Sequence, residues 1–132
     1  MISQADYFGH FSTTDPITND LKANAAELLL RVNALLVDCA PAGDVATMPA
    51  LTSGYRPAWY NARVPGAAVK SRHMTAQAID LADPDGALDA YLDEHPNFLI
   101  YHALYREHPL ATKNWCHLQT TAPASGNRTF IP

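Results

Sequence analysis

The sequence predicts an α+β fold in which a small, mainly antiparallel sheet packs against helices. Three observations carry this expectation. One long segment has a helical apolar stripe: Leu21, Ala25, Leu28, Val32 and Leu35 recur at the spacing of one helix face. The strand-like segments are short and alternate in polarity, unlike the long apolar runs of a buried parallel sheet. Ten prolines and six glycines are spread along the chain, which keeps elements short and turns frequent. At 132 residues the expectation is one domain spanning 1–132, long enough to bury a core.

The elements follow in order. Thr18 to Asp38 reads as an amphipathic helix with Thr18 as N-cap and Asp20 in the first turn, where the helix dipole favours negative charge; Pro41 and Gly43 stop it. Ala50–Tyr55 reads as a short strand, with Arg56 kept out of helical geometry by Pro57. A loop with room for one helical turn follows. Gln77–Ala82 is a second strand, in which Gln77, Ile79 and Leu81 face one way and Ala78, Asp80 and Ala82 the other. Asp83-Pro84-Asp85-Gly86 signals a turn. Ala87 to about Arg106 has a helical pattern interrupted by Pro96. Trp115–Thr121 is a third strand, with Trp115, His117 and Gln119 on one face and Cys116, Leu118 and Thr120 on the other. The tail from Ala122 reads as irregular.

Composition excludes several classes. Nine basic against thirteen acidic residues give a net charge of −4, which argues against a general nucleic-acid binder. No segment has the ~18–20 apolar residues of a membrane span, and the first residues carry no secretory signal pattern. Cys39 and Cys116 make no disulfide framework; Cys116 reads as a small core residue and Tyr55 as core. His95, His102 and His108 read as surface residues, and Lys70, Arg72 and Lys113 as solvated cations able to attract an anionic polymer.

The chemistry concentrates in His73, Asp80 and His117. Asp80 lies between two alanines, where a carboxylate is costly unless paired or metal-bound. Two His and one Asp on neighbouring strands make a three-ligand metal set with an open fourth position, the pattern of catalytic zinc. Spacing alone equally allows a loop His73, an Asp80 that caps a turn or pairs with arginine, and a His117 satisfied in the core.

Three blocks, Thr52-Ser53-Gly54-Tyr55-Arg56, Ser71-x-His73-x(6)-Asp80 and Trp115-x-His117, together resemble the zinc D-alanyl-D-alanine carboxypeptidase family. That family also holds vancomycin-resistance dipeptidases and phage L-alanyl-D-glutamate endolysins, and the Hedgehog signalling domain shares its fold. The resemblance runs from Leu51 to Gln119. It implies a Hedgehog/D-Ala-D-Ala-peptidase-like fold and a Zn²⁺ held by His73, Asp80 and His117. It gives Arg56 the grip on a substrate carboxylate or carbonyl, Ser71 a supporting contact beside the metal, and Trp115 a place against substrate.

The chain departs from the family pattern in two respects. Ala76 stands where a glycine is usual. Asn114 and Trp115 occupy the two places where relatives keep a Glu or His as proton acceptor. Some phage relatives resemble the Glu107-His108-Pro109 segment, so Glu107 is the expected general base, with Asp83 and His108 as rivals. The implied function is a zinc peptidase cutting D-amino-acid-containing stem peptides of peptidoglycan, of phage or prophage type. It would be made in the bacterial cytoplasm and act on the wall or within a virion. The alternative is a catalytically inactive, zinc-stabilised wall-binding or virion module; a metal-free small domain stands third.

Overall fold

The computed structural model describes residues 1–40 and 48–132. The expected helix stop at Pro41 and Gly43 lies outside the described residues. Helices α1 (Gln4–Phe8) and α2 (Phe11–Thr14) precede the long helix α3 (Asn19–Cys39). Strand β1 (Leu51–Ser53) leads to the one-turn helix α4 (Ala58–Asn61), a 3-10 turn (Arg72–Thr75) and β2 (Ala78–Ala82). Then come α5 (Ala87–Glu94), α6 (Asn97–Tyr101), β3 (Tyr105–Glu107), β4 (Trp115–Gln119) and β5 (Thr129–Phe130). The sheet has five strands in the order β1-β2-β4-β3-β5. Every pairing is antiparallel except β3 with β5. The α+β class with a mainly antiparallel sheet is therefore what the chain adopts.

Helix α3 forms as its pattern requires. The Thr18 hydroxyl accepts the Leu21 amide at 3.2 Å, satisfying one of the helix's free donors. The predicted stripe turns inward: Ala25, Leu28, Val32 and Leu35 are fully buried, with Leu29 and Leu36 widening the face. It packs in one cluster with Ile79 and Leu81 of β2 and Cys116 and Leu118 of β4. Each buried leucine or valine contributes roughly 1.5–3 kcal/mol, so one charged residue on this stripe would undo the layer.

Two sequence expectations change, and one element is new. The segment to Arg106 is not helical throughout. Pro96 separates α5 from α6, and the chain leaves helical geometry at Ala103, whose φ is +53°. Tyr105–Glu107 is instead a strand that bonds β4 on one side and β5 on the other. The tail is not wholly irregular, since Thr129–Phe130 supplies that last strand. The N-terminus carries its own helix: the Ser3 hydroxyl accepts the Asp6 amide while the Asp6 carboxylate accepts the Ser3 amide, a reciprocal cap. Tyr7, Phe8 and Phe11 from this region enter the core.

The Asp83–Gly86 turn forms as read, with Gly86 at φ +71° and its amide on the Asp83 carbonyl at 3.1 Å. No helix among the described residues is long and apolar enough to cross a membrane.

Candidate metal centre

Strand register builds the floor of the site. Asp80 on β2 pairs directly with His117 on β4, so both side chains rise from the face opposite the α3 core. The His117 Nδ1 lies 2.7 Å from Asp80 Oδ1. His73 enters from the 3-10 turn that precedes β2, and its Nε2 lies 3.3 Å from Asp80 Oδ2. The two imidazole centroids are 5.2 Å apart. His73, Asp80 and His117 thus form a group whose ligand atoms lie within 4.8 Å of one another and can hold a metal ion.

The orientation of His73 is set from behind. Its Nδ1 donates to the Gly54 carbonyl at 2.7 Å, and a carbonyl only accepts. The neutral ring therefore turns a lone pair at Nε2 toward Asp80. That nitrogen is buried and has no hydrogen-bond partner. A buried lone pair facing a carboxylate across 3.3 Å is unfavourable between the two groups alone and fits a cation between them. This orphaned nitrogen, more than the spacing, marks the triad as a candidate metal centre.

Gly54 earns its place in the Ser-Gly-Tyr-Arg block. A Cβ there would meet the Tyr7 carbonyl oxygen at 2.1 Å, so only glycine admits helix α1 this close. Tyr7 in turn donates its hydroxyl to the Ala78 carbonyl at 2.8 Å.

The local electrostatics follow from burial and neighbours. Burial pushes the Asp80 carboxyl up, but the flanking imidazoles of His117 and His73 outweigh it and hold it well below the usual carboxylate range. Burial pushes His73 down, which keeps it neutral. Burial also opposes charging of His117, yet the Asp80 carboxylate, with Glu107 beyond it, raises it overall.

The triad opens into a cleft of about 730 Å³, also lined by Arg56, Tyr60, Ser71, Glu107 and Trp115. The Ser71 hydroxyl accepts the His73 amide and the Arg56 guanidinium, each at 3.3 Å. Arg56 reaches the cleft as expected. It is half-buried, its Nε has no partner, and burial lowers its pKa against the pull of Asp80. Trp115 stands at the rim, 37% exposed. Lys70 and Arg72 are exposed at the cleft's edge.

Glu107 belongs to β3 and not to a loop folding back over the site. Tyr105 pairs with Gln119 and Arg106 with Leu118, so the next step along the strand sets Glu107 beside His117 on the cleft face. Its rivals separate from it. Asp83 is buried and accepts the Leu88 and Asp89 amides, both at 2.9 Å, so it caps α5. The ring of His108 accepts the Leu110 amide at 3.2 Å and is not among the cleft residues.

Two other histidines also resolve. His102 is buried with Nε2 at 2.7 Å from Asp38, which corrects its surface reading. His95 stacks on Tyr91 at the surface, centroids 4.2 Å apart. Cys116 is core, as read, and burial pushes its thiol up.

Sequence reasoning missed the Gly54 carbonyl, Tyr60 and the role of Gln119. The last left a signal, because Gln119 shares the His117 face by alternation. Gly54 acts through loop geometry, and Tyr60 sits on the single-turn helix α4, too short to show a period.

Comparison with known proteins adds no relative: the chain matches no family model, no curated protein and no solved structure.

Proposed function

We propose that the chain is a zinc-dependent peptidase that hydrolyses D-amino-acid-containing stem peptides of bacterial peptidoglycan, on a Hedgehog/D-Ala-D-Ala-peptidase-like fold and of phage or prophage type. The observation that carries this reading is the lone pair of His73 Nε2, buried and unpartnered beside Asp80 and His117, in a cleft that also holds Arg56 and Glu107. Two imidazoles and a carboxylate suit zinc and leave a fourth position for water or substrate. Zinc bound there supplies Lewis acidity and a water with pKa near ~7.

The protein's own groups do the rest. Glu107 accepts a proton from the attacking water and returns it to the leaving amine, the part its place beside His117 allows. Arg56 offers a half-desolvated fork with an unused Nε to a substrate carboxylate or carbonyl. Ser71 holds that fork and the His73 backbone in one place. Trp115 gives the peptide a flat wall at the rim.

One observation favours a second reading, a zinc-stabilised module that binds wall peptide without cutting it. Asn114 and Trp115 fill the two positions where resembling enzymes carry their proton acceptor. The Asn114 carbonyl is also committed to the Asp83 amide at 2.9 Å. The deciding experiment measures zinc per chain and fragment masses after incubation with purified peptidoglycan, for the natural protein and for Glu107→Gln. The peptidase reading expects stoichiometric zinc in both, with fragment release lower in the variant by roughly 10²–10⁴-fold. Stoichiometric zinc with wall binding and no fragments from the natural protein selects the module.

A further inference from the structure

We infer that Gln119 is a positioning residue that holds the Nε2–H of His117 and so leaves Nδ1 as the nitrogen that would meet the metal. The inference rests on the metal reading of the triad. His117 has both ring nitrogens engaged: Nδ1 at 2.7 Å from Asp80 and Nε2 at 3.2 Å from Gln119 Oε1. A glutamine amide has an accepting end and a donating end, and its neighbours decide which is which. Here the Thr121 carbonyl decides. It takes the Gln119 amide nitrogen at 2.6 Å, with the Thr121 hydroxyl at 3.5 Å. A carbonyl cannot donate, so the amide nitrogen faces Thr121 and the amide oxygen faces His117.

That oxygen can only accept, so His117 Nε2 carries the hydrogen. The Asp80 carboxylate, 2.7 Å from Nδ1, accepts as well, so a metal held at Nδ1 would take the place of a proton there while the Nε2 hydrogen stays on Gln119. The arrangement mirrors His73, where a backbone carbonyl holds Nδ1–H and frees Nε2. The two histidines thus present opposite ring nitrogens to one point, each held by an acceptor behind it. Gln119 is buried, 6% exposed, and sits two residues along β4 from His117 on the same face. Its bond to Thr121 fixes it from the strand's end, so the amide is pre-set before any metal arrives.

The test uses the full chain and zinc alone. Zinc affinity is measured by competition with a chromophoric chelator for the natural protein, Gln119→Leu and Gln119→Glu. Leucine keeps the volume and removes the acceptor; glutamate keeps an acceptor for Nε2–H but loses the donation to Thr121. Gln119→Leu is expected to bind zinc about 10–100-fold more weakly, the usual effect of losing a partner behind a ligand. Gln119→Glu is expected to stay within about threefold of the natural protein.

Nitrogen-15 NMR of the zinc-loaded natural protein supplies a readout free of folding effects, with His117 expected to be protonated at Nε2. Equal affinity in Gln119→Leu, equal losses in both variants, or a His117 protonated at Nδ1 each overturns the inference. A natural protein that takes up no zinc overturns the metal reading beneath it, and this inference with it.

Discussion

Two charged clusters lie on opposite faces of the same sheet, and they are built on opposite principles. On the core side, Arg106 of β3 is 1% exposed and sends its guanidinium into α5 and β5. It donates to the Asp89 carbonyl at 2.8 Å, the Asp89 carboxylate at 3.0 Å, the Asp93 carboxylate and the Thr129 hydroxyl at 3.3 Å. Four donations meet acceptors there, and Arg106 Nε alone of its guanidinium nitrogens is buried without a partner. On the cleft side, His73 Nε2 lies 3.3 Å from the Asp80 carboxylate and has no hydrogen-bond partner. The first cluster ties three elements together. The second leaves a buried ring nitrogen without a partner beside a carboxylate, a group that could hold a metal ion. Burial of charge alone does not distinguish the two; the sense of the hydrogen bonds does.

The comparison breaks or sharpens under substitution. The largest effect is expected at the triad: His73→Ala and His117→Ala should each lose stoichiometric zinc in elemental analysis while the chain stays folded by circular dichroism. Stoichiometric zinc in both variants would sink the site. Arg106→Met should do the reverse. Breaking a buried ion pair on one side costs about 3–5 kcal/mol, read by urea unfolding, and zinc per folded chain should not change. Zinc lost along with stability would show the two faces to be one unit.

A smaller effect is expected at Arg56. Arg56→Ala should slow peptide turnover about 10–100-fold, from the ~1.5–3 kcal/mol of a charged hydrogen bond, with zinc still bound. Unaltered turnover together with a large drop in melting temperature would make this arginine structural.

The smallest effect is expected at Ala76, which sits fully buried in the left-handed region at φ +56°. Ala76→Gly relieves strain of roughly 1–2 kcal/mol. It also loses a buried methyl worth about 0.8 kcal/mol and gains unfolded-chain entropy of about 0.5–1 kcal/mol. Urea unfolding should therefore shift by less than ~1 kcal/mol. A loss above ~2 kcal/mol would mean that the methyl's packing dominates.

The parts of the structure that were legible share one property: a period. The α3 stripe repeats on a helix face, and β2 and β4 alternate, so Asp80 and His117 were assigned faces that the register then joined. What was not legible depends on contacts without a period. Strand β3 has three residues, too few to show alternation, and it follows a helical pattern that only the positive φ of Ala103 interrupts. Strand β5 has two residues and exists through its parallel pairing with β3. His102 meets Asp38 across 64 positions, which no local pattern encodes. The helix α1 was readable in principle, since Ser3 and Asp6 stand at capping-box spacing. In the cleft, ligand types and order were visible, whereas the hydrogen bonds behind them, from Gly54 and Gln119, were not.

Gly54 is one peptide unit thick. Its inner surface bears on the carbonyl of Tyr7, and its own carbonyl grips the His73 ring. No compressible side chain lies between the leading helix and a ligand of the metal centre. The leading helix therefore works as an anvil: it adds no residue to the triad, yet it backs the peptide unit on which the His73 imidazole rests. A change that loosens the seating of Tyr7 therefore reaches the core and the His73 ring together.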